Sequence, residues 1–80
     1  MKTSQLVKKL QITRDTLYYL EKKGFIEPEK TKAGKKLIRE YSEEDVRKVE
    51  LIWKHLKMGF KYEVAYEKAL EELNNPELGF

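Results

Sequence analysis

Apolar residues recur at helical spacing from the first turn of the chain onward. Leu6, Val7 and Leu10 fall on one side of a short helix that Thr3 or Ser4 can cap. Ile12 continues that side after a tight connection at Gln11. A second helix starts at Thr13, whose hydroxyl can cap it, and stops at Gly24, which can take the left-handed turn past its end. With about 100° of rotation per residue, Leu17 and Leu20 share one side. Arg14, Asp15, Tyr18, Tyr19 and Lys22 lie on the other. Two short helices joined by a tight turn, the second with a polar outer face, predict a helix-turn-helix.

The helical rhythm breaks at "FIEPEKTKAGKKLIREYS". Pro28 lacks an amide hydrogen and disfavours helix around it. Gly34 supplies a turn. Residues 26–30 and 36–41 are predicted to pair as two short strands, with Leu37 and Tyr41 turned inward. Helical spacing then resumes. Ser42 and Asp45 resemble a capping box before the stripe Val46, Val49, Ile52, Trp53 and Leu56, which Gly59 ends. A fourth helix over "KYEVAYEKALEEL" places Tyr62, Ala65, Tyr66, Ala69 and Leu73 on one face and ends at Asn74–Pro76. The expected fold is mainly α, four helices and a two-stranded hairpin, as one domain over 1–73 with a short tail at 74–80.

Eighty residues bury only about 60–65% of their unfolded surface, which leaves a thin core and no large ligand cavity. The net charge of +3 hides an asymmetry: residues 1–41 carry +6 and residues 42–80 carry −3. The hairpin alone holds Lys30, Lys32, Lys35, Lys36 and Arg39 against Glu29 and Glu40. Basic charge gathered in one part of a small domain is the footprint of a polyanionic partner. Tyr18 and Tyr19 add aromatic rings whose hydroxyls can donate to phosphate oxygens. Lys22 and Lys23 fit better as partners of the helix dipole.

Other chemistries lack their residues. There are no cysteines, so no disulfide framework and no thiolate metal site. His55 is the one histidine, and no second His or carboxylate cluster stands at ligand spacing, so no metal is expected. No catalytic set or phosphate-cradling glycine loop is present, and neither an enzyme nor a cofactor is expected. No apolar run approaches the roughly 18 residues of a membrane span, and no signal peptide is visible, so a cytoplasmic location is expected. Trp53, Tyr62 and Tyr66 are expected in the core, Trp53 between the third helix and the first two.

"SQLVKKLQITRDTLYYLEKKGFIEP", the basic hairpin and "YSEEDVRKVELIWKHLKMGF", in this order, resemble the winged helix-turn-helix DNA-binding domain of the MerR family of transcription regulators. The resemblance covers residues 3–73. It implies that Thr13, Arg14 and Asp15 stand at the start of a recognition helix and reach base edges. It implies phosphate contacts by Tyr18 and Tyr19, and a wing of Lys30, Lys32, Lys35, Lys36 and Arg39 along a neighbouring groove. Tyr41 would add a backbone contact. The chain departs from the family in four places. Tyr18-Tyr19-Leu20-Glu21 stands where the family usually has Arg-Tyr-Tyr-Glu, Gln11 replaces the turn glycine, the wing is longer than usual between Gly34 and Tyr41, and Lys61 replaces the serine cap of the fourth helix. The family's long dimerisation helix and effector domain have no counterpart here, so no small-molecule effector is implied.

The partner expected is double-stranded DNA, bound sequence-specifically to control transcription. Two other readings stay open: an excisionase-like protein that bends DNA with the same face, and a protein-interaction module working through the acidic third and fourth helices. Only Leu70, Leu78 and Phe80 could extend an apolar interface, so a monomer in solution with cooperative assembly on DNA is expected.

Overall fold

The computed structural model describes residues 1–74. In chain order the elements are α1 (Thr3–Leu10), α2 (Arg14–Lys22), β1 (Glu29–Ala33), β2 (Lys36–Glu40), α3 (Glu43–Lys57) and α4 (Tyr62–Asn74). Four helices and one antiparallel hairpin make a winged helix-turn-helix. The chain divides into two compact units, Met1–Val46 and Arg47–Phe80, with the boundary inside α3.

The first unit buries Leu6, Ile12, Leu17, Leu20, Ile26 and Tyr41, each at most 2% exposed. Each such side chain contributes about 1.5–3 kcal/mol by leaving water. Neither Thr3 nor Ser4 caps α1. The cap position is Lys2, and its amide donates to the Gln5 side-chain oxygen at 2.7 Å, which satisfies one donor the helix leaves open. Gln11 closes α1 in the left-handed region at φ 57°, the conformation for which glycine carries no penalty. Thr13 caps α2 as expected: its hydroxyl oxygen accepts from the Thr16 amide at 3.1 Å. At the other end, Gly24 at φ 78° donates to the Glu21 carbonyl, and the Phe25 amide donates to that of Leu20. Those two bonds define a Schellman motif.

The strand limits differ from expectation. Residues 26–28 lie outside any strand, and β1 begins at Glu29, after the proline that cannot donate to a ladder. Register runs from Glu29↔Glu40 to Ala33↔Lys36 around Gly34 and Lys35. Gly34 has φ 64°, the positive value that a tight hairpin turn demands at its first residue. Leu37 is not turned inward: it is 48% exposed, because it lies near the hairpin tip and every β1 residue beside it is exposed too. Tyr41 is inward, as expected. Its amide donates to the Met1 carbonyl, so the chain start lies against the end of β2.

Ser42 caps α3 by accepting from the Asp45 amide at 3.1 Å. In the second unit Val49, Leu51, Ile52, Ala65 and Ala69 are buried. Trp53 is only half-buried, with the Lys57 ammonium 5.8 Å from its ring centroid. Its expected core role is thereby reduced to that of an edge residue, consistent with an aromatic that keeps a polar tip in reach of water. Tyr62, Tyr66 and Leu73 are likewise half-buried. Gly59 at φ 102° and Phe60 repeat the Schellman bonds at the end of α3, onto the Leu56 and His55 carbonyls. The expected tail beyond Asn74, with Leu78 and Phe80, lies outside the described residues.

Candidate nucleic-acid interface

The first unit carries every residue the sequence nominated, and α2 and the wing hold most of them. Arg14, Asp15 and Tyr18 are exposed on α2, and Tyr19 is half-buried with the Lys23 ammonium 6.0 Å from its ring centroid. Thr13 is exposed, but its hydroxyl is occupied with the Thr16 amide and the Thr16 hydroxyl. On the wing, Lys30, Lys32, Lys35 and Lys36 are exposed and Arg39 is half-buried.

A cleft of about 350 Å³ opens between the start of α1, the start of α2 and β2. Lys2, Ser4, Arg14, Tyr18, Lys36 and Arg39 are among its lining residues. Four of these six side chains are cationic, and an anion is the ligand such a wall attracts. Ser4 was considered only as a helix cap, and Lys2, the residue ahead of the first helix, was not singled out at all; its charge beside a helix start was the available signal.

Glu21 was also missed. It lies on α2 one turn after Tyr18, and its carboxylate takes two wing cations. The Arg39 Nε donates to Oε1 at 2.7 Å and the Lys30 Nζ donates to Oε2 at 3.0 Å. The Arg39 guanidinium stands 4.6 Å from the centroid of the Tyr18 ring, a cation–π distance. Burial pushes the Glu21 carboxyl up, but the bonds and charges of Arg39 and Lys30 outweigh it and hold it below the usual value. Arg39 is correspondingly raised, first by its bond to Glu21. Thus Arg39 and Lys30, nominated as DNA contacts, are engaged with α2 in the free protein.

Tyr41 is 2% exposed and takes its place in the core. Its hydroxyl accepts from the Thr3 hydroxyl at 3.4 Å, a long bond, and burial pushes its phenol up. Nearby, Glu40 pairs with the Met1 ammonium and, at 2.9 Å, with Lys2. These bonds pull its carboxyl down to about 2.

The second unit holds a separate cluster of charged side chains. There Lys54 donates to Glu72 at 2.8 Å, and the buried His55 ring stands 3.4 Å from the same oxygen. One histidine and one carboxylate fall short of a metal site, and among the described residues no group of three or more such ligands gathers. No described helix is long and apolar enough to cross a membrane.

No curated protein and no solved structure matches this sequence. The family model described as "MerR HTH family regulatory protein" matches residues 1–71, nearly the whole length. Together with the helix-turn-helix and wing, that match establishes the chain as a member of the MerR family of helix-turn-helix DNA-binding regulators.

Proposed function

We propose that this chain binds double-stranded DNA sequence-specifically and thereby controls transcription in the cytoplasm. The observation that carries the reading is the convergence of the exposed start of α2, the basic cleft and the lysine-rich wing on the first unit. Arg14 is the base reader, because bidentate arginine on guanine is the commonest specific contact. Thr13 and Asp15 flank it at the groove. Tyr18, Tyr19 and the wing cations Lys30, Lys32, Lys35, Lys36 and Arg39 take phosphates and fix the register. Tyr41 supports the base of the wing from the core.

Selection of binding duplexes from a random pool tests the reading. One recoverable sequence preference is expected. With five to seven cations on phosphates, log K should fall with log salt at a slope of about −5 to −6. A slope near zero, or a pool that yields no preferred sequence, contradicts sequence-specific DNA binding.

A further inference from the structure

Lys30 and Arg39 are direct cross-strand partners in the hairpin register. Like charges on one rung of a two-stranded ladder repel. Glu21 resolves that repulsion from outside the hairpin. Its two oxygens each take one cation of the rung, at 3.0 and 2.7 Å, and its side chain is only 16% exposed. Arg39 is further held over the Tyr18 ring, one helical turn before Glu21. The carboxylate therefore ties the wing to α2 through a single rung. It also places a negative charge beside a surface meant for a polyanion, where simple electrostatics would exclude it.

We infer that Glu21 is a positioning residue for DNA binding: it fixes the wing against α2 so that both reach the same duplex without prior ordering. The inference rests on the DNA-binding reading above. Its consequence runs opposite to net charge. Removing the carboxylate makes the chain more cationic, yet it frees two rotamer-rich side chains that must then be ordered on binding.

The test is a salt titration of duplex affinity for the unmutated chain, Glu21→Gln and Glu21→Asp, with circular dichroism melts showing that each is folded. For Glu21→Gln the charges of Lys30 and Arg39 at the phosphates are no longer offset by a carboxylate, so the slope of log K against log salt should steepen by about one. Preorganisation is lost at the same time, so affinity near physiological salt should fall about tenfold. The two lines then cross at low salt. A merely structural role would give a parallel line with a lowered melting temperature, and that result would overturn the inference. Tighter binding by Glu21→Gln at every salt concentration would overturn it as well. Glu21→Asp keeps the charge but is one methylene too short to span the rung, so it too should bind several-fold more weakly. Parent-like affinity for Glu21→Asp counts against positioning. If the unmutated chain shows no salt-dependent binding, the DNA-binding reading falls and this inference with it. Failure of the variants alone leaves that reading standing.

Discussion

Arg14 and Tyr19 both belong to α2, but the chemistry assigned to them differs, and a comparison of two DNAs separates it. A base contact counts only on the preferred sequence, whereas a phosphate contact counts on all. Arg14→Ala should cost about 1–3 kcal/mol on the selected site and much less on random duplex. Tyr19→Phe should weaken both to the same degree, since only a hydroxyl donor to phosphate is removed. Equal losses for Arg14→Ala on the two DNAs would take it out of base reading. Gln11 poses a separate residue-scale problem. It is the only described non-glycine residue with positive φ. That conformation costs an ordinary L-residue about 1 kcal/mol or more, partly offset because glycine has more freedom to lose on folding. Gln11→Gly should raise unfolding free energy in urea by about 0.5 kcal/mol, and Gln11→Val should lower it by more than about 1 kcal/mol.

Among the elements, α2 and α3 were legible because both carry their own punctuation, whereas the cap of α1 was misplaced by one or two residues. Thr13 and Ser42 accept the amides their positions predict, and Gly24 and Gly59 stop α2 and α3 with the same pair of bonds. The hairpin was less legible. Its register depends on a two-residue turn and on partners across the ladder, and an apolar residue such as Leu37 carries no mark of how near the tip it falls. The interface was legible as a set of residue types, but not in its pairing. That Lys30 and Arg39 share a rung, and that both meet Glu21, follows from long-range register that no local pattern encodes. The same structure ranks the wing cations. Lys35 lies in the turn and Lys36 on the first rung, both exposed and remote from the Glu21 rung. Lys35→Ala and Lys36→Ala should each flatten the salt slope by about one, on every duplex sequence tested. An unchanged slope for both would move the phosphate contacts off the wing tip.

Across the whole molecule, acid should act through the ion pairs of Glu21, Glu72 and, at the lowest pH, Glu40. Glu21 and Glu72 are both held below the ordinary carboxylate value of 4.5, Glu21 by Arg39 and Lys30 against its burial, Glu72 chiefly by Lys54. A group whose folded pKa lies below its unfolded one contributes fully above the unfolded value. That contribution is lost as pH falls through the folded value. Stability should therefore be insensitive to these pairs between pH 7 and about 5 and decline below about 4.5. Urea melts across that range should show a shallower decline for Glu21→Gln than for the parent, and identical slopes would remove the pair from the acid response. Association is a second property at this scale. A single module of this kind covers only about 600–1,000 Å² on DNA, so one copy should occupy a half-site modestly. Light scattering at micromolar concentration should give a monomer, with cooperative loading when half-sites repeat about one helical turn apart. A stable dimer without DNA would contradict this.

The wing has a consequence for the protein in the absence of any partner. Among the described residues β1 pairs along one edge, with β2, and all five of its residues are exposed. Its outer edge is a row of backbone donors and acceptors that a second molecule could zip onto. Lys30 and Lys32, spaced to repeat along that strand, are what makes such zipping repulsive. The ammonium groups that grip a duplex are thus also the colloidal guard of the free chain. Salt that releases DNA screens that guard, and a neutralised wing loses affinity and solubility together.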